Sequence, residues 1–245
     1  EAGPGPARRR LPRPNQPPSL TEPAYTETLT GSEDDQLWCD CTIDLHDTVL
    51  TEIADFQDAT FTNNANFRGA TFTNNADFGG ATFTHDAHFG GATFTNNAHF
   101  GGATFTHDAN FGGATFNRTN FQGATFNHYA NFGGATFTHY ANFGSATFNR
   151  TNFQGATFTH YANFGGATFN RDANFWGAAF NRYANFWGAA FNRYANFWGA
   201  AFNRDANFWG AAFNRVDFQD ATFTNNANWI APGVVEGLNP WKDED

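Results

Sequence analysis

The sequence predicts an all-β solenoid, a four-sided coil of very short strands stacked about eight coils deep. Three observations carry that expectation. All 32 Phe lie between Phe56 and Phe223, each five or six residues after the last. The two steps mostly alternate, which gives an eleven-residue unit, Ala-x-Phe-x-Gly-Ala-x-Phe-x-x-x. Corner residues also recur at double that period: His85-Asp86 returns as His107-Asp108, with Asn96-Asn97 halfway between.

An eleven-residue period can suit a helix, since three turns take about that many residues. Here it does not. A five-residue step rotates successive Phe about 140° apart on a helix, and each unit carries Gly, Asn and usually Thr, all poor helix formers. On an extended segment, residues two apart share a side. Ala and Phe then point inward together. The Asn, Thr, Asp and Gly beside them point outward. Ala stands two before nearly every Phe; the exceptions, Thr119, Thr151 and Val216, are small and mark places where a six-residue step contracts to five. Gly, Asn-Asn, His-Asp and His-Tyr follow Phe and read as corners of positive or bridging φ. Strands this short need copies of themselves to stack on. Like residues stack best at 22 per coil, in sides of five, six, five and six.

In chain order, residues 1–32 are Pro-rich and polar and read as a flexible or extended arm. Residues 33–53 hold seven acids, no Lys or Arg, and enough apolar residues to form an acidic N-terminal cap or first coil. Residues 54–229 are the repeat, a rod of about 38 Å at ~4.8 Å per layer. Residues 230–245 open with Pro232 and Gly233 and form a C-terminal cap with an acidic tail. Cys39 and Cys41 are too close for a bridge of good geometry and too few for a zinc site. No apolar run approaches the ~18 residues of a membrane span. The Arg8–Arg10 run leads into Pro-rich sequence rather than an apolar stretch. No signal peptide is recognised, and the cytoplasm is the favoured location.

The stretch ADFQDATFTNNANFRGATF, residues 54–72, resembles the pentapeptide-repeat proteins, whose motif centres on Phe or Leu with a small residue two before it. The resemblance covers residues 54–229 and reaches back weakly through Leu45 and Leu50. It implies a right-handed quadrilateral β-helix. This chain departs from the plain motif in its regular sixth residue. Some members of the family mimic duplex DNA and bind DNA gyrase, so a topoisomerase-binding DNA mimic is one expectation. Charge argues against it. The chain carries a net charge of −10, but residues 54–229 hold nine Asp and eight Arg, a net of −1. Within the repeat, residues 54–117 have five Asp and one Arg, whereas residues 118–229 have four Asp and seven Arg.

Few residues invite chemistry. Stacked His85 and His107 with Asp86 and Asp108 suggest a metal ladder, but no third fixed ligand is evident, and solvated corners explain them better. Thr pairs at 60–62, 71–73, 82–84, 93–95 and 104–106 suggest an ice-binding array, but they decay along the chain and suit any strand surface. No Ser–His–acid or paired-carboxylate arrangement occurs. The expectation is a non-enzymatic scaffold with no cofactor.

The candidate interaction surface is Trp176, Trp187, Trp198 and Trp209, with Tyr183, Tyr194, Arg182 and Arg193 at nearby corners. Each Trp directly follows Phe, where earlier units hold Gly, Gln or Arg. Spacing places Trp176 over Trp198, and Trp187 over Trp209 on the opposite side. Three residues after each Trp, Thr gives way to Ala, at Ala179, Ala190, Ala201 and Ala212. Trp, Tyr and Arg are residues that protein interfaces favour. A protein partner or a second copy of the chain fits this surface better than nucleic acid, because no Lys supports the Arg. The alternative is that each Trp lies flat and covers its own corner. For the core, Phe132→Asp is expected to unfold or split the rod, and Asn131→Asp to do little.

Overall fold

A computed structural model describes residues 42–225, 227 and 228. The expectations for residues 1–32 and 230–245, and for Cys39 and Cys41, lie outside them. All regular structure among the described residues is strand, and every strand pairing is parallel. No helix there is long and apolar enough to cross a membrane. The chain winds into a four-sided parallel β-helix of about eight coils. The first coil begins at Ile43, which pairs with Ala65, and Val49 and Leu50 pair with Thr71 and Phe72.

The four corners are of two kinds. In the coil that starts at Ala173, corner one is Trp176-Gly177, corner two Asn181-Arg182-Tyr183, corner three Trp187-Gly188, and corner four Asn192-Arg193-Tyr194. The strands group into one sheet of 13 and one of 15. Strands such as Thr93–His99 and Thr125–Asn131 run through corners two and four, so each sheet wraps one of them. Corners one and three separate the sheets.

Among the described residues positive φ is confined to corners one and three, two residues after an inward Phe or, at Asp47, after Leu45. Gly134 there has φ 66°. Asp47, Asp58, Ser145 and Asp220 occupy the same slot at 53°, 55°, 55° and 57°. Asn-Asn, His-Asp and His-Tyr form corners as the sequence suggests, but without positive φ. Where a six-residue step stacks on a five-residue one, the extra residue enters as a β-bulge. Pairing between Phe94 and Phe116 spans 22 residues, but between Asn97 and Arg118 it spans 21. Where a contraction puts Thr inward, its hydroxyl finds a carbonyl one coil back. Thr119 Oγ1 donates to the Ala98 carbonyl and Thr151 Oγ1 to that of Ala130, both at 3.2 Å.

The core is Phe on Phe. From Phe61 to Phe208 every Phe is buried. Rings stack coil on coil, as Phe132 does with Phe111 at 4.9 Å and Phe153 at 4.8 Å. Across the coil they meet edge to face, Phe132 against Phe143 at 5.3 Å and 82°. Both arrangements suit the aromatic quadrupole. Ala fills the remaining inward slots.

Candidate functional site

The Asn just before every second Phe does more than face outward. On one face Asn131 Nδ2 donates to Asn110 Oδ1, Asn152 to Asn131, Asn174 to Asn152 and Asn196 to Asn174, at 3.0–3.2 Å. On the opposite face Asn142, Asn163, Asn185 and Asn207 form a second ladder. Each Oδ1 also accepts a backbone N–H two residues on, as Asn131 does from Gly133 at 3.0 Å. The expectation that Asn131 is an idle outward residue is therefore corrected: it is bonded to the coils on both sides.

The ladders carry the backbone past the slot where Trp stands. Asn174, Asn185, Asn196 and Asn207 accept the N–H of Trp176, Trp187, Trp198 and Trp209 at 2.9–3.1 Å. The indoles stack as the spacing predicts. Trp176 and Trp198 lie 5.4 Å apart and 6° from parallel on corner one; Trp187 and Trp209 lie 6.2 Å apart and 7° from parallel on corner three. The corner-one column leans toward the C-terminal end. Trp198 Nε1 donates to Asp220 Oδ2 at 2.7 Å, one coil on. The four indoles remain 40–50% exposed.

The other four candidate residues do not join the Trp. Arg182 and Tyr183 sit on corner two, Arg193 and Tyr194 on corner four. The eight residues thus take turns around the rod instead of forming one patch. Tyr183 ends a stack with Tyr161 and Tyr140, at 5.3 and 5.2 Å, that the sequence reading passed over. Its signal was the tyrosine recurring in one slot of successive coils. Burial, with the two stacked neighbours behind it, pushes the Tyr161 phenol up. Tyr194 donates to Asp217 Oδ2 at 3.1 Å, and the Arg215 guanidinium lies 4.4 Å from its ring centre. Burial foremost, then the Asp217 bond, raises the Tyr194 phenol.

The ladder of His and Asp on corner four is engaged within the chain. His85 and His107 stack at 5.5 Å, and each Nδ1 pairs with the preceding Thr hydroxyl. Asp108 pairs with His128 and accepts the Tyr129 N–H. Burial pushes the Asp108 carboxyl up, but these partners outweigh it and hold it below its ordinary range. No group of three His, Cys, Asp or Glu among the described residues could hold a metal ion. The second Thr of every pair but the first is committed as well; Thr73 Oγ1 donates to the Leu50 carbonyl at 3.1 Å, whereas Thr62 Oγ1 has no partner among the described residues. Thr84, Thr95 and Thr106 donate to the carbonyls of Phe61, Phe72 and Phe83 at 3.0–3.1 Å.

Comparison with known proteins agrees with this architecture. No curated protein matches the chain. One solved structure, a trypsin-treated form of QnrB1, a plasmid-mediated fluoroquinolone resistance protein, is 15% identical over 76% of this chain and 91% of its own, with a TM-score of 0.19. So loose a superposition carries no argument. A family model described as pentapeptide repeats (9 copies) matches residues 45–93, 89–136, 132–179 and 153–201. Those spans run over more than half of the 245 residues and follow the Phe register of the coils. The chain belongs to the pentapeptide-repeat family.

Proposed function

We propose that the chain is a non-enzymatic solenoid that binds protein, a partner or a second copy of itself, through its Trp-bearing C-terminal coils. The observation that carries this reading is the pair of indole stacks, half-exposed, in the slot that holds Gly, Gln or Arg in earlier coils. Contiguous exposed apolar surface of this kind marks contact sites more often than idle ones. Among the described residues Phe and Ala fill the interior of the rod and leave it no enclosed room for a small substrate. The test is the fourfold variant Trp176→Gly, Trp187→Gly, Trp198→Gly and Trp209→Gly, which restores the residue most earlier units use. Sedimentation is read in about 1 M NaCl, where screening reaches ~3 Å and charge contacts fade. An interface predicts association in the wild type and a folded, monomeric variant. A variant that melts earlier and keeps the wild-type association state would leave the indoles as corner covers only.

The DNA-mimic reading makes a separate prediction. Mimicry of duplex DNA asks for a strongly negative rod, and the repeat is near neutral with a basic C-terminal half. At micromolar protein we expect no inhibition of gyrase-catalysed supercoiling. Potent inhibition would show that shape suffices without charge.

A further inference from the structure

Corner four changes sign along its length. Its first coils present Asp86 and Asp108 and no Arg. Its later coils present Arg150, Arg171, Arg193 and Arg215, one per coil and all exposed, against Asp172 alone. None of these arginines has an ion-pair partner among the described residues, where the pairs are His46–Asp44, His99–Asp77 and His128–Asp108. Corner two provides the contrast. It is basic at Arg118, Arg182 and Arg204, but Asp205 stands beside the last of these, and after Glu52 its early coils hold Asn74, Asn75, Asn96 and Asn97.

We infer that corner four is a self-complementary edge along which two copies of this chain pair side by side and antiparallel. The register follows from the stacking order. Backbone contacts place Asn64, Asp86, Asp108 and Tyr129 on successive coils, and Tyr129 pairs with Arg150. A two-fold axis between the Tyr129 and Arg150 coils sets the coil of Asp108 against the coil of Arg171 and Asp172 of the other copy, and the coil of Asp86 against that of Arg193 and Tyr194. It sets Tyr129 against Arg150. The chain already uses that last contact within itself: Arg150 lies 5.6 Å from the Tyr129 ring centre, and Arg215 packs on Tyr194 in the same way. A small cleft lined by His128, Tyr129, Asn149, Arg150 and Arg171 sits where the axis would pass. From Asp86 to Arg193 the charged edge spans five layers, about 24 Å at ~4.8 Å each. Such an isologous contact closes at two copies and does not propagate, unlike a head-to-tail joint. It needs none of the Trp, so it stands or falls apart from the proposed function.

The experiment is a charge swap read by sedimentation velocity, with far-UV circular dichroism as the folding control. Wild type is expected to be dimeric in about 0.02 M salt and to lose that dimer in about 1 M, where charge contacts are screened. Arg171→Glu with Arg193→Glu, which alters only exposed side chains, should be monomeric at low salt. Asp86→Lys with Asp108→Lys should be monomeric too. An equimolar mixture of the two should recover a dimer, because each then offers the charge the other lacks. If loss of the Asp108 bonds unfolds the second variant, Asp86→Lys alone replaces it and should weaken the dimer and still be rescued by the first. A wild type with no salt-sensitive dimer at low salt overturns the inference, as does a salt-sensitive dimer that survives Arg171→Glu with Arg193→Glu. If wild type never dimerises yet retains heparin more strongly than the Arg variant does, the column is a polyanion site instead.

Discussion

Phe132→Asp is expected to abolish the cooperative fold, or to cut the rod into halves that melt separately. The ring is fully buried at mid-rod, stacked on Phe111 and Phe153 and edge-on to Phe121 and Phe143. Removing a buried Phe side chain alone costs about 3–5 kcal/mol. A carboxylate in its place finds no hydrogen-bond donor among Phe and Ala, and an unpaired buried charge costs several kcal/mol more. Coils in a solenoid are held by their neighbours, so the damage falls on both flanking interfaces. Asn131→Asp is the matched control. It retains the acceptor that binds Gly133 N–H and Asn152 Nδ2 but turns an oxygen toward Asn110 Oδ1, where a donor stood. We expect it to lose about 1–2 kcal/mol, more than an idle surface residue would. Thermal and urea melts followed by circular dichroism decide the matter. Comparable melting of the two variants would refute the inward stack.

Asn142→Leu should be the next most damaging single change. Asn142 is 7% exposed, the most enclosed polar rung of either ladder. Its amide donates to Asn120 Oδ1 at 3.1 Å and to Gln122 Oε1 at 3.2 Å. Its oxygen accepts from Gly144 N–H at 3.0 Å and from Asn163 Nδ2 at 2.8 Å. Leucine has a similar volume and none of these bonds. Each buried group left without a partner costs about 1–3 kcal/mol, so a loss of about 3–5 kcal/mol is expected. Urea denaturation measures it. A loss below about 1 kcal/mol would mean that the ladders decorate the coils without tying them together.

The inward register was legible because Phe and Ala repeat at the strand's own period of two, which no other local structure reproduces. The Trp columns were legible for the same reason once 22 residues were taken as one coil. The ladders were not. A residue beside Phe on a strand reads as outward, and Asn131 differs from an idle residue only through partners 21 residues away in either direction. Local pattern carries no trace of such bonds. Nor did composition reveal which corners demand positive φ. Gly-Gly and Asn-Asn both read as turns, yet only the first lies where two sheets separate. Spacing set the two Trp columns on opposite sides of the rod and the Tyr and Arg at neighbouring corners, and the structure has them there.

The unequal corners divide the rod into edges of fixed length and edges of adjustable length. All three contractions, ahead of Thr119, Thr151 and Val216, fall on corners two and four, where a bulge absorbs or releases a residue. None falls on corners one and three, where each left-handed residue hands its N–H to the coil beyond, as Gly134 does to the Gln154 carbonyl at 2.8 Å. Foreign sequence inserted at corners two or four would leave the Phe columns in step. The same insertion at corners one or three would cut the seam that joins one coil to the next. Variation in length, in this chain or in a designed derivative, is therefore channelled to one diagonal of the coil, and the other diagonal keeps the count.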